Sequence, residues 1–150
     1  MKARIDTFVQ LSAALTGFGR VDLFGTAMVE NYLKTLETGL PEGVVDELLA
    51  AFEKGLARGD GEAAIQAVLE DAKLGPVARS LAVLWYAGSW TSLPDDWCAS
   101  YGAEALDVSR VLSAGAYRAG LQWEVAGAHP PGSKQQGFGA WALAPERSVA

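Results

Sequence analysis

Cysteine and histidine are almost missing from this 150-residue chain, in which Cys98 is the single thiol and His129 the single imidazole. A lone cysteine excludes an internal disulfide framework and a cysteine-based zinc site, leaving open only a bond to another chain. One histidine and one cysteine cannot fill a soft-metal site, and the acidic residues are scattered at ordinary solvating positions along helix faces. Basic residues are scarce too. Twelve Lys and Arg against eighteen Asp and Glu give a net charge of −6 and a pI near 4.7. None of the twelve form the basic cluster that a phosphate-tracking surface needs, so nucleic acid is not an expected partner. Long apolar runs are lacking as well. The most apolar window, residues 81–88, falls far short of the ~20 residues that cross a bilayer, and no stretch has the Lys/Arg-rich face of a membrane-surface helix. A soluble chain with no direct membrane span is expected. The opening MKARIDTFVQLSAALTG has Asp6, Thr7, Gln10 and Ser12 where a secretory signal would be continuously apolar, so it reads as an amphipathic helix.

What the chain does have is apolar residues at helical spacing. They make up half the composition, enough for one core at this length. Ile5, Phe8, Val9 and Leu15, with Ser12 between them, predict a helix ending at Gly17. Val21, Phe24, Met28, Tyr32 and Leu36 predict a second ending at Gly39, and both glycines suit left-handed caps. Val45, Leu48, Leu49, Phe52 and Leu56 predict a third between Pro41 and Gly59. Ile65, Val68, Leu69 and Ala72 predict a shorter fourth that stops before Gly75. The segment GPVARSLAVLWYAGSW predicts a fifth helix, apolar on all sides after Ser80 and therefore central, with Pro76 in its first turn. A polar loop, TSLPDDW, should follow, and then a sixth helix over about 101–112. No repeat, low-complexity tract or alternating run suggests a sheet.

The last quarter differs in kind. From Leu121 to Pro145 it carries Trp123, Phe138 and Trp141 among Gly127, Gly132, Gly137, Gly139, Pro130, Pro131 and Pro145, a mixture hostile to regular helix. The expected architecture is an all-α single domain of about six helices over 1–120, followed by an extended arm over 121–150 that wraps a partner subunit. Taking each aromatic ring out of water contributes roughly 2–3 kcal/mol, and a second protein surface could receive them. Between Glu124 and Glu146 the arm has only Lys134 as a charged residue, as in the charge-depleted centre of an interface.

Two motifs carry a family resemblance. Phe8, Leu11, Ser12, Leu15, Thr16 and Gly17 match an F-x-x-L-S-x-x-L-T-G opening, and Leu84, Trp85, Tyr86 and Gly88 match an L-W-Y-x-G helix. Gly137, Phe138 and Trp141 match a GFGAWALAP-type ending more loosely. In that order they resemble the small (gamma) subunit of bacterial FAD-dependent sugar and polyol dehydrogenases, the group with sorbitol, fructose, glucose, gluconate and glycoside 3-dehydrogenase complexes. The resemblance implies an accessory chain that is not itself an enzyme and binds no cofactor. Its partner would be a catalytic large subunit of the glucose-methanol-choline type that holds FAD, and the family leaves room for a cytochrome c subunit beside it. The implied work is to help the large subunit fold, load FAD and reach the periplasm. A twin-arginine signal usual in the family is not among these residues, so the expected location is periplasmic if such a signal has been removed and cytoplasmic otherwise. Where several relatives place a cysteine bonded to the large subunit, this chain has His129, Pro130 and Pro131, which implies non-covalent docking.

Within this frame Trp85 is expected in the core, while Tyr86 and Trp90 point to other faces, one of which could meet a partner. The expected interface residues are Tyr86, Trp90, Trp123, His129, Pro130, Pro131, Phe138 and Trp141. The rival readings are a stand-alone enzyme using Asp95, Asp96, Cys98 or His129, and a helical interaction module unrelated to redox chemistry. Adjacent acids point apart in most backbones, and Asp95 with Asp96 reads more simply as a helix-capping turn. Cys98 and His129 have no local signature of a thiolate pair and no third residue to orient them. Gly137-Phe138-Gly139 and Gly17-Phe18-Gly19 both lack the strand, third glycine and helix of a dinucleotide cradle, and the latter suits a hinge between the first two helices.

Overall fold

A computed structural model describes residues 1–128 and Pro130. The fold is all-α apart from one two-residue ladder, with nine helices among the described residues: α1 (Lys2–Thr16), α2 (Arg20–Gly25), α3 (Val29–Gly39), α4 (Val44–Arg58), α5 (Gly61–Glu70), α6 (Leu74–Ala87), α7 (Asp95–Tyr101), α8 (Ala114–Ala119) and α9 (Leu121–Val125). Local chemistry sets several boundaries. Gly17 ends α1 at φ 78°, donating its N–H to Ala13 O, the left-handed cap expected there. Asp60 starts α5 by accepting the Ala63 N–H at 2.9 Å. Asp46 and Glu47 in the first turn of α4 and Arg58 in its last turn complement the helix dipole.

The core is continuous. Phe8, Val9 and Leu11 of α1, Tyr32, Leu33 and Leu36 of α3, Leu48 and Phe52 of α4, Ile65 and Val68 of α5, and Val77, Leu81, Leu84 and Trp85 of α6 form one buried cluster. Helix α6 is central, as its composition predicts, and touches α1, α4, α5 and α9. Only a narrow stripe, Arg79 and Val83, faces outward. The two motif segments meet inside this core. The Trp85 indole stacks on Phe8 at 6.3 Å between centroids and takes Tyr32 edge-on at 4.7 Å. The Tyr86 hydroxyl donates to Thr16 O at 2.7 Å.

The structure departs from the expected six helices in five places. The second helix is two, because the chain breaks over residues 26–28. Thr26 Oγ1 donates to Leu23 O at 2.6 Å and accepts the Met28 N–H at 3.1 Å, diverting backbone groups that a continuous helix would use. Ala27 in that break has φ 59°. Helix α3 ends without a left-handed Gly39, since its cap is Leu40 in extended conformation. The sixth helix lies earlier than 101–112. It begins directly after Pro94, taking in Asp95, Asp96 and Trp97 of the expected polar loop, and ends at Gly102 with φ 116°. The residues that follow run as a loop into β2 (Arg110–Val111), which pairs antiparallel with β1 (Ser89–Trp90). Residues 114–119, where no helix was expected, form α8 behind a Ser113 cap. Finally, residues 121–125 of the expected arm are helical, and α9 buries Leu121 against α6.

Glycine is required where α6 ends. Gly88 has φ 68°, and a Cβ there would lie 2.3 Å from Ala116 O, while one on Gly120 would lie 2.7 Å from Tyr86 O. The backbone of 116–120 therefore docks directly on the end of α6. Gly88→Ala should cost about 2–4 kcal/mol through strain and steric displacement, read as a fall in the urea midpoint at unchanged m-value.

Three buried polar atoms, Ser12 Oγ, Tyr32 Oη and Trp85 Nε1, have no hydrogen-bond partner among the described residues. Burial pushes the Tyr32 phenol up to about 12. An unfolded tyrosine titrates near 10, so the stability from this protonated, buried phenol is fully present below pH ~10 and is lost as pH rises toward about 12. Tyr32→Phe should keep the fold, change stability at pH 7 by less than about 1 kcal/mol and flatten the alkaline limb of the stability curve. A steep loss at neutral pH would show that the hydroxyl is bonded after all.

Candidate partner surface

The aromatic residues expected at an interface have different fates. Trp90 is 1% exposed and belongs to the core. This corrects its expected place on a partner surface: the turn at Gly88 folds its ring inward, and its Nε1–H donates to Asp107 Oδ1 at 2.7 Å. Tyr86 is half-buried, with its hydroxyl engaged by Thr16 and its ring edge-on to Phe18 at 6.1 Å. Trp123 is half-buried on α9, edge-on to Tyr117 at 5.4 Å, and its Nε1–H donates to Tyr117 O at 2.8 Å. Pro130 is buried. His129, Pro131, Phe138 and Trp141 lie outside the described residues.

Asp95, Asp96 and Cys98 of the rival enzyme reading all sit on α7. Asp95 and Asp96 are exposed in the first turn of α7, where their charge favours the helix N-terminus, while Pro94 holds the capping position. Cys98 is half-buried, with Sγ 3.9 Å from both Leu93 O and Asp107 Oδ2. Desolvation first, and then the charges of Asp107, Asp95 and Asp96, push its thiol above the usual range. Among the described residues no group of three His, Cys, Asp or Glu side chains could hold a metal ion, and no helix is long and apolar enough to cross a membrane.

Asp107 is a hub that sequence reasoning missed. Besides the Trp90 indole it accepts the Leu93 N–H at 3.2 and 3.1 Å. Ser109 Oγ accepts the Ser92 N–H at 2.9 Å, and the Arg110 guanidinium donates to Leu106 O and Val108 O at 3.0 and 2.9 Å. The loop between α7 and α8 is thus pinned by polar groups while Leu106, Val108 and Val111 stay more than half exposed. An aspartate within a polar stretch of sequence carries no signal of this role, because its donors come from residues 14 to 17 positions away.

A second apolar surface lies on α2. Val21 is 83% and Phe24 46% exposed, although their spacing assigned them to a buried face. Beside them a cleft of about 310 Å³ is lined by Ile5, Phe24, Ala27, Val29, Glu30 and Asn31. Exposed apolar side chains gathered in patches, unlike single ones, mark places where a protein meets something else. The geometry therefore offers two outward apolar surfaces, on α2 and on the 102–111 loop, neither of them among the aromatics picked out by sequence.

Scans against protein-family models and searches of curated proteins and of solved structures return no match to this chain.

The surroundings of Cys98 have a measurable consequence. At pH 8 its alkylation by iodoacetamide should run slower than that of a free thiol, since the raised pKa leaves less thiolate. Replacing Asp95 and Asp96 with Asn should speed it, and an unchanged rate would show that their charges do not reach the sulfur.

Proposed function

We propose that this chain is the non-catalytic small subunit of an FAD-dependent sugar or glycoside dehydrogenase of the glucose-methanol-choline type. On this reading FAD belongs to the large subunit, a cytochrome c subunit could join the assembly, and the complex works in the periplasm where a removed twin-arginine signal has directed it, or else in the cytoplasm. The observation that carries the reading is the meeting of its two motif segments. Phe8 and Thr16 of the opening pack and bond to Trp85 and Tyr86 of the central helix, so the residues behind the resemblance share one scaffold, as a common role for them requires. That scaffold leaves Val21, Phe24, Leu106, Val108 and Val111 on the outside, surface that a companion chain could cover.

The physical work of such a subunit is stabilisation by binding. A chain that binds the folded, FAD-loaded large subunit and not its unfolded form shifts the folding equilibrium by mass action, by about 2.7 kcal/mol at a hundredfold excess over Kd. The apolar surfaces supply the binding energy, and the residues beyond Pro130 add the arm aromatics Phe138 and Trp141.

Coexpression with the dehydrogenase of its own host tests this directly. The large subunit should carry more FAD per chain with this protein than without it, and an equal flavin load would remove the maturation role. Shortening the chain after Pro130, which keeps α9 and the buried proline, should leave the helical circular dichroism intact and lower retention of the large subunit. Full retention by the shortened chain would show that the arm is not the anchor.

A further inference from the structure

We propose that Ser12, Tyr32 and Trp85 form a binding site for a single internal water that ties α1, α3 and α6 together. The site lies in the core and stands independently of the accessory-subunit reading. Its first support is a set of orphaned polar atoms. Ser12 Oγ, Tyr32 Oη and Trp85 Nε1 have no hydrogen-bond partner among the described residues, and the three residues are 0%, 1% and 0% exposed. Buried polar groups are nearly always bonded, so each of these calls for a partner. Comparable groups elsewhere in the protein follow that rule. The indole N–H groups of Trp90, Trp97 and Trp123 donate to Asp107 Oδ1, Lys73 O and Tyr117 O at 2.7, 2.7 and 2.8 Å, and the hydroxyls of Thr16 and Thr35 donate to Ser12 O and Asn31 O, each at 2.8 Å.

The second support is placement. The Tyr32 ring meets the Trp85 ring edge-on at 4.7 Å between centroids. On α1, Ser12 stands one turn from Phe8, which stacks on Trp85, and one turn from Thr16, whose carbonyl accepts from Tyr86. Residues four apart share a helix face, so Ser12 faces the same stretch of α6 as these two neighbours. Orphaned groups from three helices therefore gather around one indole instead of being dispersed through the core.

The third support is chemistry. An indole N–H only donates, while each hydroxyl both donates and accepts. A water accepts from Trp85 Nε1–H and from the Tyr32 hydroxyl and donates to Ser12 Oγ, making the three bonds typical of an internal water. An ion does not suit the site, since no charged side chain among the described residues is buried to balance it. Burial of all three residues restricts the ligand to one small enough to pass through a closely packed interior.

The test uses the full chain, isotope-labelled, and reads the cross-peak between the Trp85 indole N–H and water together with the relaxation dispersion of the water oxygen. The unaltered protein should show a cross-peak whose intensity does not change with pH, which excludes transfer through hydroxyl exchange, and a dispersion step from water held longer than the molecule tumbles. Ser12→Ala and Tyr32→Phe each leave the water two partners and should keep both signals. The double variant leaves only the indole, and it should lose the cross-peak and about one water from the dispersion, with circular dichroism unchanged. A cross-peak missing from the unaltered protein overturns the inference, and so does one that the double variant retains. Should the double variant not fold, the unaltered protein decides alone: both signals uphold the site, and the absence of either overturns it.

Discussion

The indole of Trp85 is where three helices are fixed to one another. It lies against Phe8 of α1 and Tyr32 of α3 from its own position on α6, and all three rings are buried. Removing a ring of this size from a packed core costs about 3–5 kcal/mol, the scale of the entire net stability of a marginal domain. This contact explains why the most distinctive residues of the sequence are inside. The Trp-Tyr pair of the central helix serves first as the joint that holds α1 in place, with Tyr86 adding the hydroxyl bond to the end of that helix. Surface available for recognition must then come from elements hung on the joint.

Those elements are α2 and the 102–111 loop, and they are held by unlike means. Helix α2 is a short piece cut from a longer helical pattern by the Thr26 hydroxyl and the left-handed Ala27, which turns Val21 and Phe24 outward. The loop is held by the side chains of Asp107, Ser109 and Arg110. Asp107 gathers the Trp90 indole and the Leu93 amide, so a buried aromatic on one side of the β1–β2 ladder orders exposed aliphatic residues on the other. In both cases a polar bond of modest strength, about 0.5–1.5 kcal/mol net, decides where several apolar side chains point.

Most of the helical body was legible in the sequence. The faces of α1, α4, α5 and α6 follow from apolar spacing, and Gly17 and Pro76 mark ends that the structure keeps. The candidate surface was much less legible. Val21, Phe24, Met28, Tyr32 and Leu36 fit one helical stripe, and only the competing hydroxyl of Thr26 breaks it, an effect that periodicity does not register. Trp90 looked like a surface residue because it falls one turn beyond Trp85, yet Gly88 ends the helix at φ 68° and redirects the chain before that turn is completed. Asp107 could not be found at all, because its meaning depends on donors brought together by the fold. The helical piece α9 was hidden by the glycines and prolines that follow it.

The bond from Tyr86 to Thr16 joins positions 70 residues apart, and that separation sets a schedule for the growing chain. At ribosomal speeds of about 5–20 residues per second, the end of the first helix waits roughly 4–14 s before the partner of this bond has been synthesised. During this interval α1 and the helices after it can form locally, but the joint that fixes their arrangement does not yet exist. Assembly is consequently a late closure, in which α6 seals from behind what α2 to α5 have already begun to cover.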